Sequence, residues 1–335
     1  MHGVAWLPAL IGAAVSVGLS RSGFLGFLFL LPLGLVAYCY NPRTAWFAAA
    51  AAAAGNVLFS LVAGGLQSYR ALSWALPLAD MFYLTVVIGA FVWITSPPER
   101  GGGFLRMPTA YRIVAGAAMT SLALGLALYS AQEDQGLRFL FRSQAEMLAS
   151  LYVNASAADE VRRSLTEQYM SADVILEILR SVALRGGIVV SCVALFMASR
   201  QISLIVAFLI RRKQVRGSLI AFHVRPECVW VLSFSLLAIL GGLGLGIEPL
   251  EIAGWNILVL CAILYLAQGG GITIFFLIRL SPALRVALNL GVLALMLSPG
   301  INVAFMGVLI LLGVAENWVP FRAPKPNGPP PTPGA

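Results

Sequence analysis

Long apolar segments, most of them about the length of a membrane span, are separated by polar connections along this chain. In windows of about 19 residues, the sequence shows ten long apolar segments separated by polar connections. A helix needs about 20 apolar residues to cross a bilayer, and these segments are too long and too uniformly apolar for barrel strands. The pattern therefore predicts an all-α polytopic membrane protein. The segments are Val4–Leu19, Phe24–Tyr40, Ala45–Leu66, Leu72–Thr95, Thr109–Ala131, Val182–Ile210, Val229–Ile247, Ile252–Ile278, Ala283–Leu297 and Ile301–Ala315.

The number of spans is open between eight and ten. The first segment and the last two are short, so tilted, re-entrant or partly fused helices are alternatives for them. We expect one bundle, with N-terminal membrane helices in residues 1–131 and C-terminal membrane helices in residues 182–318. The Pro-rich residues 319–335 predict an extended, disordered cytoplasmic tail.

The connection formed by residues 132–181 differs in kind from the others. It has mixed charge, and its apolar residues recur at helical spacing, which predicts two or three amphipathic helices. This insertion is either a spacer that packs on the bundle, or a lid or docking element for a partner.

Positive charge is distributed unevenly over the connections. If the N-terminus is cytoplasmic, the cytoplasmic connections and the tail hold thirteen Lys and Arg residues, whereas the short outside connections hold only Arg21 and Arg70. Short loops rich in Lys and Arg stay in the cytoplasm. The asymmetry therefore predicts that both termini are cytoplasmic and that the insertion is extracytoplasmic.

The composition limits the chemistry that the chain can perform. Hydrophobic residues make up 59% of the chain and charged residues 11%. The Lys and Arg residues that give the net charge of +8 lie beside the predicted spans and form no separate basic domain, which argues against a nucleic-acid partner. The two histidines and four scattered cysteines match no metal-binding or nucleophilic motif. We therefore expect no enzyme, no cofactor and no metal site, and the lipid bilayer is the first partner.

Ionisable residues within spans need a specific reason, because burying them in hydrocarbon is unfavourable. Asp80 lies inside the fourth segment, after Pro77. It is a candidate for substrate or cation binding, and the alternative is an acid bonded to a neighbouring helix. Arg200 interrupts the sixth segment. It is either buried in the bundle or close to the end of the span, and we favour the second.

A basic cluster follows the sixth segment at Arg211, Arg212 and Lys213. If the span ends near Arg200, the residues between Arg200 and this cluster run along the membrane interface. Such a cluster suits an anionic lipid surface or a partner, and topology alone is the alternative.

Three consecutive glycines, Gly269, Gly270 and Gly271, lie within the eighth segment. Each costs about 1 kcal/mol in a helix, so the run predicts a kinked or unwound span that lines a cavity. With Gln268 and Asn256 they form the leading candidate for a substrate-binding element. Close packing against another helix is the equal alternative.

The last third of the chain carries its most specific pattern. This pattern resembles the YybS-like family of bacterial inner-membrane proteins, over about Leu31 to Arg322. The family is distantly similar to the substrate-capturing S components of energy-coupling-factor vitamin transporters. The residues that carry the resemblance are Arg225-Pro226-Glu227 with Trp230, Trp255-Asn256-Ile257, Tyr265-Leu266-Ala267-Gln268-Gly269, and Gly313-Val314-Ala315-Glu316-Asn317-Trp318-Val319-Pro320-Phe321-Arg322.

The resemblance implies a multi-pass protein of the bacterial inner membrane that binds or transports a small solute. In S components, alanine-rich helix faces dock the coupling subunit, so Ala48–Ala54 would be a face for a membrane-protein partner; packing within the bundle is the alternative. The rival hypothesis is a non-transporting scaffold or regulator of envelope machinery. A polar internal cavity near Gly269–Gly271 and Asp80 would favour the solute-binding hypothesis.

Overall fold

The computed structural model describes residues 5–22, 25–68, 75–96, 107–130, 172–211, 219–298 and 300–322, with scattered positions between 139 and 150. The described residues form helices joined by turns and contain no strand. The chain divides into two compact units, Met1–Val215 and Arg216–Ala335. The predicted all-helical class is thereby confirmed.

Seven α-helices are described in the first unit. A 3₁₀ turn, Gly26–Leu28, lies between the first two, and a π-helical turn, Ala183–Gly187, joins the last two. The helices are α1 (Trp6–Arg21), α2 (Leu31–Cys39), α3 (Pro42–Ser68), α4 (Ala75–Thr95), α5 (Thr109–Ser130), α6 (Ala172–Val182) and α7 (Ile188–Arg211).

Four α-helices are described in the second unit. They follow a 3₁₀ turn, Leu219–Ala221, and all of them are strongly apolar. The helices are α8 (Cys228–Leu245), α9 (Glu248–Leu277), α10 (Pro282–Leu297) and α11 (Ile301–Ala315).

Five apolar stretches of the described chain are long enough to cross a membrane: Pro42–Val62, Thr109–Leu126, Asp173–Ile210, Cys228–Leu245 and Glu248–Leu277. Helices α10 and α11 meet at a bend of 117°. If the two together form one broken span, the number of spans becomes six. Apolar helices of this number and length are those of a multi-pass membrane protein.

The second predicted segment does not form a single span-length helix. The chain makes the 3₁₀ turn and then the short helix α2, whose first turn contains Pro32. Proline lacks the backbone N–H that an interior helical position needs, so it suits the start of a new helix. Asn41 then caps α3, since its Oδ1 accepts hydrogen bonds from Thr44 N at 2.8 Å and Thr44 Oγ1 at 2.9 Å.

Small residues set the packing of the first unit. One face of α3 is buried at Ala45, Ala48, Ala49 and Ala52, and α3 packs against α1, α2 and α4. This face of the alanine run therefore serves internal packing, the alternative to a partner-docking face. Phe91 of α4 and Phe196 of α7 stack with ring centroids 6.3 Å apart in the core.

Contacts along α4, α5 and α7 define their directions. Near the start of α5, Arg112 meets the end of α4 at Ser96, whereas Ser121, further along α5, lies beside Cys192 of α7. Arg112 in turn interacts electrostatically with Arg200, which follows Cys192 along α7. Helix α5 therefore runs antiparallel to α7, and its start meets the end of α4.

Only the end of the predicted insertion is described as a complete helix. This is α6, which is amphipathic and buries Ile175 while it exposes Asp173 and Glu177. At the junction with α7, Gly186 takes a φ of +107°, a conformation that glycine adopts without steric cost. The sixth predicted segment therefore begins as a regular helix at Ile188 rather than at Val182.

Candidate functional site

The glycine run does not break its helix. Helix α9 is continuous from Glu248 to Leu277, so the prediction of a kinked or unwound span at Gly269–Gly271 is wrong. The physical reason is the neighbouring backbone: a methyl group on Gly269 would overlap the carbonyl oxygen of Leu309 in α11. A methyl group on Gly313 would likewise overlap the carbonyl oxygen of Tyr265. The glycines thus permit two helix backbones to touch, which is the packing alternative.

Gln268 joins three parts of the second unit. Its side chain is 1% exposed. Its Oε1 accepts a hydrogen bond from Val224 N at 2.5 Å, and its Nε2 donates to Gly313 O at 2.9 Å. Both ends of the amide are therefore engaged by backbone groups. Gln268 holds residues 219–224 against α9 and α11 rather than facing a solute cavity.

Arg322 completes this junction from the other side. Its Nη1 donates to Ile220 O at 2.5 Å, and its Nη2 donates to Phe222 O at 2.9 Å. The same guanidinium pairs with Glu316, Nε lying 2.7 Å from Oε1 and Nη2 lying 2.5 Å from Oε2. Both side chains are at most 5% exposed. A bidentate ion pair that is this deeply buried holds its two side chains in place more strongly than a surface ion pair does.

The third glycine, Gly271, also faces this junction. A methyl group there would overlap the carbonyl oxygen of Leu219 and lie 3.2 Å from Nη1 of Arg322. We call the contacts of residues 219–224 with Gln268, Gly271, Glu316 and Arg322 the C-terminal junction. It contains much of the pattern that carried the family resemblance, and its role in this structure is packing.

A recess of about 220 Å³ opens beside the C-terminal junction, lined by His223, Glu316, Pro320 and Arg322. Nε2 of His223 lies 3.8 Å from Oε1 of Glu316, and the His223 side chain is 59% exposed. Glu316 and Arg322 are engaged with each other, so His223 is the lining residue most available to an external group.

Asp80 is bonded to neighbouring helices. Its Oδ2 accepts a hydrogen bond from Arg21 Nη1 at 2.8 Å, and Ser60 Oγ lies 3.4 Å away. Arg21 also donates to Ser60 Oγ at 2.7 Å and lies 5.0 Å from the ring centroid of Phe59. This network ties α1, α3 and α4 together, which is the packing alternative for Asp80.

The other candidate residues are not brought together with Gln268. Asn256 donates from Nδ2 to Ile252 O within its own helix at 2.8 Å, and twelve residues of helix, about 18 Å, separate it from Gln268. The side chains of Arg211, Arg212 and Lys213 lie outside the described residues, as does most of the tail in 319–335.

Arg200 lies in the interior rather than at the end of a helix. Helix α7 continues through it to Arg211, and its Nε is buried without a hydrogen-bond partner. The expectation that the span ends near Arg200 is therefore not met. Its neighbours are Tyr38 and Arg112.

Sequence reasoning missed Arg112, which it counted among the charges of a cytoplasmic connection. In the structure this residue is 1% exposed. The available signal was its position in the first turn of a long apolar helix, where a side chain can turn inward. Within the described chain, no group of three or more His, Cys, Asp or Glu residues could hold a metal ion.

Comparison of the chain with protein-family models, with characterised proteins and with solved structures finds no match. The residues of this chain and their geometry are therefore the basis for its proposed function. The resemblance to the YybS-like family stays a prediction.

Proposed function

We propose that this chain is a multi-pass protein of the bacterial inner membrane that acts as a non-transporting scaffold or regulator, binding a protein partner at its cytoplasmic face. The observation that carries the proposal is the engagement of the Gln268 amide at both ends by Val224 N and Gly313 O. Because Gln268 is 1% exposed and each end of its amide bonds a backbone group, it supports the surface above it and is out of a solute's reach.

The surface that the C-terminal junction supports is the recess around His223. Two independent side chains, Gln268 and Arg322, fix the backbone of residues 219–224. A pre-organised backbone lowers the entropy cost of binding a partner. The positive charge of the surrounding connections supports a cytoplasmic location for this surface. The proposal includes eight to ten membrane helices in one bundle, with residues 132–181 as an extracytoplasmic insertion.

The second candidate function is S-component-like binding or transport of a small solute, which the family resemblance predicts. The recess favours it, because a volume of about 220 Å³ lined by His223, Glu316 and Arg322 has room for a small polar molecule. It is smaller than the roughly 300–1,000 Å³ of typical ligand pockets, and two of its charged residues neutralise each other.

Site-specific photo-crosslinking in cells tests the proposal. A photoreactive amino acid at position 223 should give one protein adduct of defined mass, because His223 stands on the rim of the recess. The matched control is position 240, where Leu240 is 65% exposed on the apolar helix α8 and should meet lipid. Arg322→Met in the position-223 variant should remove the adduct, because it releases Ile220 and Phe222.

Two results would contradict the scaffold hypothesis. The first is a folded position-223 variant that gives no protein adduct, or the same adduct as position 240. The second is native mass spectrometry of the purified protein that shows one bound small solute, displaced by His223→Trp. The second result would support the solute-binding function instead.

A further inference from the structure

We propose that Tyr38, Arg112 and Arg200 form a binding site for an anionic phosphate group in the first unit. This inference goes beyond the scaffold function, since it concerns different helices and a different class of ligand. The group is either the headgroup phosphate of a lipid or that of a free phosphate anion. The two sources share the same chemistry, and the experiment below separates them.

Arg112 is the deepest part of this site. Its side chain projects from the first turn of α5 and is 1% exposed. Its Nη1 donates to Trp93 O at 2.9 Å and to Ser96 O at 2.5 Å, both at the carboxyl end of α4. The last carbonyls of a helix carry partial negative charge, so they hold this cation in place without neutralising it. Its Nε is buried and has no hydrogen-bond partner.

Arg200 adds a second cation to the same place. It interacts electrostatically with Arg112, and its Nε is also buried and unpartnered. None of the ion pairs between described residues involves either arginine. Two guanidinium groups within electrostatic range repel each other, and burial of their Nε atoms removes part of their hydration. A bound anion would remove both penalties.

Tyr38 supplies a third donor. Its hydroxyl lies beside the guanidinium of Arg200, within electrostatic range, but it is buried without a hydrogen bond of standard geometry. Three donor groups from α2, α5 and α7 therefore converge with unused hydrogen-bonding capacity. Buried polar groups are normally satisfied, so a cluster of unsatisfied donors indicates a missing acceptor.

The geometry of the donors favours phosphate oxygens as that acceptor. A guanidinium presents a planar fork of N–H groups that matches carboxylate and phosphate oxygens, and two such forks suit a group with several charged oxygens. The start of α5 adds the partial positive charge of a helix N-terminus. The site lies at the end of α4 and the start of α5, which the charge asymmetry predicts to be cytoplasmic, where anionic lipid headgroups and free phosphate are both present.

The first experiment measures the thermal stability of the full-length protein, purified in a neutral detergent, with inorganic phosphate or with chloride at equal ionic strength. Phosphate should raise the melting temperature of the wild type and of Arg279→Gln, a charge-matched control from the second unit. The shift should be absent in Arg200→Gln. It should be smaller in Tyr38→Phe, which removes a single hydroxyl and serves as the test if Arg200→Gln does not fold.

The second experiment detects lipid by native mass spectrometry after reconstitution in nanodiscs that contain phosphatidylglycerol and phosphatidylcholine. Retention of phosphatidylglycerol by the wild type, with at least a tenfold loss in Arg200→Gln, would assign the site to a headgroup. A phosphate-dependent shift without lipid retention would assign it to a free anion. If the wild type, Arg200→Gln and Tyr38→Phe respond alike in both experiments, the proposal is wrong and the arginines serve packing only.

Discussion

Replacing Gly269 by alanine should weaken the second unit, whereas the same change at the adjacent Gly270 should not. The two residues share one helix and the same intrinsic propensity. Around Gly270 no atom beyond the local helix backbone lies within 4 Å of an added methyl group. At Gly269 the methyl group would overlap Leu309 O and lie 2.8 Å from Leu309 C and 3.3 Å from Gly313 N. The comparison therefore isolates the contact between α9 and α11.

The magnitude follows from two opposing effects. Alanine is better than glycine in a helix by about 1 kcal/mol, and both variants gain this. Carbon atoms pack at about 3.5–4.0 Å, so the contact of 2.8 Å requires α11 to move by about 1 Å. Overpacking of this kind costs about 1–3 kcal/mol. The movement would also stretch the hydrogen bond from Gln268 Nε2 to Gly313 O. If this bond breaks, the buried amide is left unsatisfied, which costs about 1–3 kcal/mol. We expect Gly269→Ala to be at least about 2 kcal/mol less stable than Gly270→Ala.

The assay is the loss of the monodisperse chromatographic peak after heating purified protein in detergent, with both variants and the wild type in parallel. Gly270→Ala should melt at or above the wild-type temperature, and Gly269→Ala clearly below it. Equal melting of the two variants would refute the close backbone contact. It would also restore the hypothesis that Gly269–Gly271 line an open space.

Three further results are expected. Asp80→Asn and Arg21→Gln should each lower the free energy of unfolding. The loss in the double variant should be smaller than the sum of the two single losses by about 0.5 kcal/mol or more, and strictly additive losses would show that the pair is uncoupled. Gly246→Ala should destabilise the protein by about 1 kcal/mol, because Gly246 has a φ of +68°. The control Gly244→Ala should not destabilise it, and equal stabilities of the two variants would contradict the left-handed conformation of Gly246. In an otherwise cysteine-free chain, Glu160→Cys should react with a membrane-impermeant thiol reagent in intact cells; labelling only after the membrane is breached would overturn the predicted orientation.

The helical class and most helix positions were predictable from the sequence, because they depend on local properties. Eight of the ten predicted segments correspond to helices that begin and end within four residues of the predicted bounds. The second segment was not predictable in this way, since Pro32 starts a new short helix after a 3₁₀ turn. The sixth begins late because Gly186 takes a left-handed conformation.

The roles of the candidate residues were less accessible to sequence reasoning. A glycine run is compatible with a broken helix and with a close helix contact, and the sequence left both open for Gly269–Gly271. The choice depends on which backbone lies opposite, and that is α11 with Leu309 and Gly313. Asp80 was open in the same way, and its ion-pair partner Arg21 is 59 residues away in the chain.

Sequence by itself determined that this chain is an all-helical membrane protein, because span length and apolar composition are local and the bilayer tolerates few other structures. The tertiary structure alone decided which polar groups are satisfied and which are not. Gln268 and Arg322 find backbone partners across the second unit, whereas the Nε atoms of Arg112 and Arg200 are buried without an acceptor. Hydrogen bonding and charge depend on distances between atoms far apart in the chain, and only the folded structure sets those distances.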